Sequence, residues 1–406
     1  SRPLRSRRHV LYCPSMTRSF RYRLLPTRAQ VAVLMDWLRL TRELYNAALQ
    51  ERRDAWVKQR ISVTVFDQMK QLPAIRVARP EFGNTPIVIQ RGTLRRLDKA
   101  FAGFFRRCKN GEAPGFPRFK SAMRWTSLLV DDLGKRSPVV AGGKRVAVPL
   151  LGKVRLRMAN DRPLRGTPKA VRLTFDLGKW YVTFACVDVP AQPLPKIGAA
   201  VGVDLGLLHF DATSNGELIE NPRPLAAARI AVERAQRIVS RRRRGSKRRR
   251  IASRTLARKH AHVAGIRRER HITLARSLVA RYDTICVEDL NIKGLARSAL
   301  AKSVHDAGWS GFLHWLDVKA EETTRRVVKV NPAGTSKTCS RCGCVKEALS
   351  LAERVFHCND CGLTIDRDVN AAINIKGTGL SPQGAARAVR RRRRSATPQH
   401  DDRVIA

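Results

Sequence analysis

Hydrophobic positions near the start of the chain predict one short strand followed by long helices. Residues 18–25 alternate between apolar and polar side chains, as a half-buried strand does. Thr27 and Gln30 then have the spacing of a capping box, in which each side chain hydrogen-bonds the other residue's backbone N–H at a helix start. From Val31 onward apolar residues recur at intervals of three and four, so we expect an amphipathic helix.

A second amphipathic helix is predicted after Pro86. Its apolar stripe consists of Leu94, Leu97, Phe101, Phe104 and Phe105. Its other face carries Arg91, Arg95, Arg96, Lys99, Arg106 and Arg107. A charged face of this kind is ordinarily a solvated one, but the acidic residues that normally intersperse it are nearly absent. We therefore favour a helix that faces phosphates, with a solvated surface as the alternative.

The segment 111–125 mixes aromatic and cationic side chains. They are Phe116, Phe119 and Trp125 among Arg118, Lys120 and Arg124. Aromatic rings among cations suit stacking on nucleic-acid bases together with contacts to the backbone. A loop whose aromatic residues fill the protein core would give the same pattern, and both explanations remain open.

Between 145 and 187 the periodicity changes to two, which predicts strands. A hairpin is expected with its turn at 177–179. The pairing predicted across it joins Val171, Leu173 and Phe175 to Trp180, Val182 and Phe184. With residues 18–25 these strands are expected to close a small β-barrel, the helices of 27–108 being inserted between them. Residues 190–196 have the composition of a linker.

After residue 198 the elements follow the order of the ribonuclease H fold. Three antiparallel strands come first, with Asn215-Gly216 as a strong hairpin signal. A basic helical region, a strand parallel to the first, a helix and a final strand follow. The expected bounds are 199–204, 207–213 and 217–219 for the first strands, 223–281 for the helical region, 284–288, 303–325 and 327–330 for the elements after it, and 369–376 for a last short helix.

Charge narrows the class of protein. The 406 residues include 80 Lys and Arg against 33 Asp and Glu, a formal net charge of +47. Such an excess needs a polyanion to offset it and is typical of nucleic-acid-binding proteins. A ribosomal-type RNA scaffold and a membrane-surface protein are the alternatives. No stretch of ~18 apolar residues exists to span a membrane, and the basic N-terminus lacks the apolar core of a secretory signal. We expect a cytoplasmic, nucleoid-associated prokaryotic protein.

Three acidic residues stand where a carboxylate needs a cation. Asp204 ends an apolar strand in VGVDLG, Glu288 ends another in ICVEDLNIKG, and Asp368 opens the short helix in DRDVNAAINI. A carboxylate at the end of a buried strand costs free energy unless something cationic lies beside it. Each motif alone is weak, because acids at strand ends often cap helices or form ion pairs. Together, in ribonuclease H order, they predict a metal site.

Carboxylates are the ligands that metal-assisted phosphodiester hydrolysis requires. Two Mg²⁺ (or Mn²⁺) ions about 3.5–4 Å apart activate a water and stabilise the leaving oxygen, and they prefer oxygen ligands. We expect Asp204 to bridge both ions, Glu288 to bind one and Asp368 the other. Asp289 is expected on the opposite side of its strand, and Asp366 outside the short helix.

Cysteine spacing indicates a second metal site. The pattern C-x₂-C, fifteen residues, C-x₂-C is typical of one tetrahedral structural zinc in a zinc ribbon. Its members are Cys339, Cys342, Cys358 and Cys361. The adjoining Cys344 and His357 are not expected to bind. Because the ribbon precedes Asp368, zinc binding is expected to position that carboxylate.

These motifs resemble those of the TnpB family, which insertion sequences encode and which is related to type V CRISPR effectors. The similar segments are VGVDLG, ICVEDLNIKG, TSKTCSRCG with CNDCG, and DRDVNAAINI, with weaker similarity over 18–377. The resemblance implies an α+β multidomain fold: a wedge-type β-barrel with an inserted helical recognition domain, then a RuvC nuclease domain with an embedded zinc ribbon. It also implies that Asp204, Glu288 and Asp368 are the RuvC acids.

The resemblance and the composition together divide the chain. The expected bounds are 1–15 for a disordered basic arm, 16–26 and 120–196 for the barrel, 27–119 for the helical insert, 197–334 and 364–377 for the nuclease domain, 335–363 for the ribbon and 378–406 for a disordered basic tail. Met16 precedes the first patterned segment and is a candidate start of translation.

The function implied by the resemblance is that of an RNA-guided double-stranded DNA endonuclease of a transposable element. Its partners would be a transposon-encoded guide RNA and a target duplex with a short adjacent motif, and the protein would be monomeric in the RNA complex. Base pairing then selects the target while the protein holds the heteroduplex through its backbone, which suits a large positive surface. A nuclease-silent RNA-guided repressor and a transposase-associated DNA-binding protein are the alternatives.

Overall fold

The computed structural model describes most of the chain in two compact units, 1–190 and 191–406. The described residues are 16–131, 133, 139–141, 144–158, 163–221, 223–295, 297, 301–350 and 353–382. The basic arm predicted at 1–15 and most of the tail predicted at 378–406 lie outside these residues. In the described part of the chain, no helix is long and apolar enough to cross a membrane.

The first unit combines a seven-stranded antiparallel sheet with helices. Its strands are β1 (Met16–Leu25), β2 (Ser127–Val130), β3 (Val139–Ala141), β4 (Arg145–Val148), β5 (Gly152–Arg157), β6 (Thr167–Asp176) and β7 (Lys179–Val189). Its helices are α1 (Arg28–Gln59), α2 (Val65–Lys70), α3 (Leu72–Ala78), a 3₁₀ turn (Pro80–Asn84) and α4 (Ile87–Lys109). The predicted capping box starts α1, with Thr27 and Gln30 hydrogen-bonded reciprocally.

The sheet has the order β2-β6-β7-β1-β5-β4-β3. The predicted β6–β7 pairs are confirmed, since Phe175, Leu173 and Val171 face Trp180, Val182 and Phe184. The prediction of a closed β-barrel is wrong. Among the described strands, β2 and β3 form the two edges of the sheet and do not pair with each other. Both are short, at four and three residues, so each leaves few backbone groups to complete a ladder.

Helix α4 lies directly on β2 in the first unit. A Cβ at Gly92 would overlap the carbonyl oxygen of Leu129, so only glycine allows this approach. Leu94 and Leu97 are buried as predicted, but Phe105 is 61% exposed. The apolar stripe therefore leaves the core before the helix ends.

The second unit is a five-stranded sheet between helices. Its strands are β8 (Ala200–Leu205), β9 (His209–Thr213), β10 (Leu218–Glu220), β11 (Thr284–Glu288) and β12 (Arg326–Val330), and a separate hairpin contains β13 (Val355–His357) and β14 (Thr364–Asp366). Its helices are α5 (Pro224–Ser240), α6 (Lys247–Arg281), α7 (Ile292–Leu295), α8 (Ala301–Ala307), α9 (Trp309–Glu322) and α10 (Arg367–Leu380). The sheet order is β10-β9-β8-β11-β12.

Strand directions in this sheet match the predicted succession. β8, β9 and β10 are antiparallel neighbours, whereas β11 runs parallel to both β8 and β12. One face packs on α6 and α9 through Val203, Ile285 and Phe312, and the other packs on α10 through Ile375. The sheet is thus covered on both faces, as parallel strands require.

Candidate active site

Two parallel strands bring Asp204 and Glu288 side by side. Val287 of β11 is in register with Val203 of β8, so Glu288 follows beside Asp204 at the carboxyl ends of the strands. Side chains in register on parallel strands point to the same face. Glu288 is buried and the adjacent Asp289 is exposed.

Helix α10 adds Asp368 to this face. A Cβ at Gly202 would overlap the carbonyl oxygen of Ala372 in α10, so the glycine permits the helix to lie against β8. Gly206, just beyond Asp204, faces Asp368: a Cβ there would lie 3.9 Å from Oδ2 of Asp368. The two glycines of VGVDLG therefore make room for the third acid.

The three carboxylates interact electrostatically. Burial, and then the nearby carboxylates of Glu288 and Asp368, raise the pKa of Asp204 to about 8, and Arg367 opposes the rise. Burial also raises the pKa of Glu288. Like charges gathered in a desolvated place favour either protons or cations, so this arrangement fits a divalent metal site.

Asp366 has a different role from Asp368. It is the N-cap of α10, and its Oδ1 accepts hydrogen bonds from the backbone N–H groups of Asp368 (2.9 Å) and Val369 (3.1 Å). The carboxylate of Asp368 instead lies near the guanidinium of Arg367, at 3.4 Å. The short helix is longer than the predicted 369–376 and begins at Arg367.

The three acidic side chains are spread more widely than the four cysteine sulfurs. Of all sets of potential metal-binding side chains among the described residues, only the four cysteines have every ligand atom within 4.8 Å of the others. A pair of ions about 3.5–4 Å apart has ligands spread over a larger distance than one ion does. The wider spread of the acids is compatible with a two-ion site.

Two similar turns, the zinc-knuckle turns at 339–344 and 358–363, carry the cysteine sulfurs. In the first, the N–H of Cys339 donates to Cys344 O and that of Gly343 to Cys339 O; in the second, Cys358 donates to Leu363 O and Gly362 to Cys358 O. The members of the site are the predicted Cys339, Cys342, Cys358 and Cys361. Four convergent sulfurs can hold one structural zinc ion.

The neighbouring Cys344 and His357 lie outside this group. Cys344 supplies its backbone carbonyl to the first knuckle and does not belong to the set of four sulfurs. His357 is exposed, and its Nδ1 lies 2.9 Å from the hydroxyl of Thr364.

Sequence reasoning missed three polar residues around the acids. The hydroxyl of Thr335 donates to Oε1 of Glu288 at 2.6 Å. In α10, Asn374 donates to the backbone carbonyl of Thr335 and Asn370 to that of Thr338. Their spacing of four residues, on the helix face opposite Ala372, was a usable signal.

The predicted nucleic-acid contacts are partly engaged within the first unit. Arg95 forms an ion pair with Asp131 at 2.8 Å, and Arg96 lies 4.3 Å from the ring centroid of Trp125. Lys120 is partly buried, with its Nζ 5.9 Å from the ring centroid of Tyr45. Arg107 is also partly buried and donates to Gly115 O at 3.0 Å. The exposed members of the set are Arg91, Arg106, Arg118 and Arg124.

The aromatic residues of 111–125 divide between the two explanations. Trp125 is 3% exposed and donates to the hydroxyl of Thr41, so it belongs to the core. Phe116 and Phe119 are 46% and 47% exposed. Phe116 packs edge-on against Phe101 and Phe104, with centroids 5.5 and 5.4 Å away.

Relatives identify the family. A protein of Streptomyces pristinaespiralis named "Putative RNA-guided DNA endonuclease" is 31% identical over 391 residues, which cover 93% of each chain. A mimivirus protein named "TnpB-like protein L770" is 24% identical over 390 residues, 90% of this chain and 74% of its own. The chain belongs to the TnpB family. An Escherichia coli relative, "Putative RNA-guided DNA endonuclease InsQ", is 27% identical over 308 residues and aligns over 71% of this chain and 73% of its own.

Family models match this TnpB chain in three places. A model described as "Helix-turn-helix domain" covers 16–60, "Probable transposase" covers 184–299 and "Cas12f1-like, TNB domain" covers 309–375. Over 16–60 the structure contains one strand and a single helix. A solved CRISPR-Cas_phi3 endonuclease overlaps 90% of this chain and 93% of its own at 9% identity and a TM-score of 0.47, too little to add to the assignment.

Proposed function

We propose that this TnpB chain is an RNA-guided double-stranded DNA endonuclease of a transposable element. The observation that carries the proposal is the meeting of Asp204, Glu288 and Asp368 at the carboxyl ends of parallel strands. The names of the relatives support it, as does the net charge of +47. We further propose that the second unit is a RuvC nuclease domain with a zinc ribbon, and that the first is a wedge-type sheet with a helical recognition insert.

Asp204, Glu288 and Asp368 would hold two Mg²⁺ or Mn²⁺ ions. When bound, such a pair polarises the scissile phosphate and makes a water more acidic. The protein's own contribution is positioning: Thr335 orients one oxygen of Glu288, and Arg367 lies beside Asp368. The fixed ends of β8 and β11 supply the preorganisation that such a site needs.

The positive surface would hold the guide RNA and its heteroduplex. Helix α6 is basic along its whole length and has Glu269 as its single acid. Among the described residues, its exposed cations that form no ion pair are Lys247, Arg248, Arg250, Arg254, Arg258, Lys259, Arg268, Arg270 and Arg276. Backbone contacts by such residues confer affinity without sequence preference, which leaves target choice to the RNA.

Retargeting tests the proposal. The protein is purified with an RNA whose targeting end matches one of two otherwise identical supercoiled plasmids, and Mg²⁺ is added. We expect cleavage of the matched plasmid alone, and transfer of cleavage to the other when the targeting end is exchanged. RNA-dependent binding without cleavage would indicate a silent repressor, and cleavage that ignores the RNA sequence would exclude guidance.

A further inference from the structure

A short polar segment joins the cysteine site to the acids in the second unit. It runs from Pro332 to Ser340. Near its start, the Thr335 hydroxyl donates to Glu288, and near its end Cys339 supplies a sulfur to the four-cysteine group. The segment is folded on itself, because the N–H groups of Lys337 and Thr338 both donate to Gly334 O.

Two asparagines of α10 clamp this segment. The amide nitrogen of Asn374 donates to the carbonyls of Thr335 (2.9 Å) and Thr338 (2.7 Å). That of Asn370 donates to Thr338 O at 2.8 Å, while its oxygen accepts the N–H of Ser340 at 2.9 Å. Four hydrogen bonds therefore fix the path from the first knuckle to Thr335.

The same helix carries the third acid. Asp368 stands two residues before Asn370, at the start of α10. The opposite face of the helix packs Ala371, Ala372 and Ile375 against the sheet, and all three are fully buried. A displacement of the knuckle would thus be transmitted both to Glu288 and to the helix that bears Asp368.

We propose that Asn370 and Asn374 are positioning residues that couple occupancy of the four-cysteine site to divalent-metal binding at Asp204, Glu288 and Asp368. With the ribbon metal bound, the first knuckle is held and the clamp keeps Thr335 on Glu288. Without it, the segment relaxes and the acids lose their arrangement. The inference rests on the proposed two-metal nuclease site.

An amide is chemically necessary at both positions. Asn374 faces two carbonyl oxygens and must donate twice, and Asn370 must donate and accept. A carboxylate of the same shape cannot donate and would repel those oxygens. Asn374→Asp should therefore break the clamp with almost no change in volume, and Asn374→Ala should break it without adding charge.

The test measures two metal sites in one full-length protein. Co²⁺ in place of zinc reports the four thiolates by its absorption, and loss of the free Mn²⁺ paramagnetic resonance signal reports the acids. In the parent protein, we expect removal of the ribbon metal to weaken Mn²⁺ binding by about 10- to 100-fold, the usual effect of losing outer-shell support. In Asn370→Ala/Asn374→Ala the affinity should already be weak, and metal removal should change it less than about twofold.

Controls separate the outcomes. Thr378→Ala, on an exposed part of α10, should behave as the parent does, and unchanged Co²⁺ absorption in the asparagine variants shows that the ribbon is folded. The coupling is refuted when the parent protein has the same Mn²⁺ affinity with and without the ribbon metal. It is also refuted when removal of the ribbon metal weakens Mn²⁺ binding as much in the double variant as in the parent. Equal Mn²⁺ affinity in the parent and in Asp204→Ala would instead refute the proposed two-metal site itself.

Discussion

The position of Asp204 is costly for an isolated carboxylate. Burial and two neighbouring acids raise its pKa to about 8, so in the absence of cations the site would be proton-bound or strained near neutral pH. Removing this side chain relieves the repulsion and removes the ligand expected to lie between two ions.

Asp204→Ala is therefore expected to abolish cleavage and to leave RNA and DNA binding nearly intact. Losing several kcal/mol of transition-state stabilisation corresponds to a rate at least about 100-fold lower. Plasmid cleavage measures this, and thermal unfolding with and without Mg²⁺ provides a second readout, because only a protein that binds the ion is stabilised by it. Asp289→Asn, at the exposed neighbouring position, is the control. Cutting by Asp204→Ala at a rate within about tenfold of the parent would refute the assignment.

Asp366 and Asp368 can be separated by the same conservative change. Asn is as good an N-cap as Asp, so Asp366→Asn should keep its two hydrogen bonds to the start of α10 and retain activity. Asp368→Asn replaces a charged ligand by a neutral one and should be inactive. Cleavage assays of the two variants decide, and the reverse outcome would exchange the two roles.

At the scale of single residues, the sequence predicted the three acids but not the side chains that hydrogen-bond them. A carboxylate ending an apolar strand is visible in the pattern at Asp204 and Glu288. Thr335 reaches Glu288 across 47 residues of sequence, and nothing local marks such a contact. Likewise the sequence places Arg96 on the helix face expected to contact phosphates, whereas its guanidinium lies over the ring of Trp125.

The stability of the element that carries the four cysteines is expected to depend on a bound metal. Few of its described apolar residues are buried, and zinc ribbons of this size fold on metal binding. Cys358→Ser should lower the zinc content from one per chain toward zero, as measured by elemental analysis. Cys344→Ser, outside the four-sulfur group, should not change it. A zinc content near zero in the parent, or equal in both variants, would contradict the assignment.

Helix α6 offers a graded test of nucleic-acid binding. Arg254→Gln/Arg258→Gln removes two exposed cations that form no ion pair within the described part of the chain. Affinity for the guide RNA should therefore fall, and the slope of its salt dependence should fall by about one to two. Arg39→Gln/Arg79→Gln is the matched control, because these exposed arginines already pair with Glu43. Equal effects in the two double variants would mean that net charge alone matters.

Elements were predictable where periodicity was strong and less so at their ends. The strand bounds at 284–288 agree with β11. The helical region expected at 223–281 is divided by a turn at Gly245, and that at 303–325 by a break at Gly308, both with positive φ. Single glycines within a helical pattern are often tolerated, so whether the chain continues or turns there depends on tertiary packing that the local sequence does not contain.

The whole molecule carries far more positive charge than one duplex site would neutralise. A protein making about 6–10 phosphate contacts already loses about 10³–10⁵ in affinity between 50 and 200 mM salt. The cations here are spread over α4, α6 and the turn between α5 and α6, so contacts should be far more numerous. A long structured RNA is the partner that would neutralise them.

The purified protein should therefore contain one specific RNA, and that RNA should stabilise it. Self-repulsion destabilises a compact state of high net charge, so nuclease treatment should lower the unfolding temperature, and the co-purified RNA should restore it better than an equal mass of unrelated RNA. Sequencing the bound RNA supplies the decisive comparison. A guide would map to one locus, whereas RNA scavenged by a basic surface would map across the transcriptome. Scavenged sequences, or equal rescue by any RNA, would leave an unguided basic nuclease and contradict RNA guidance.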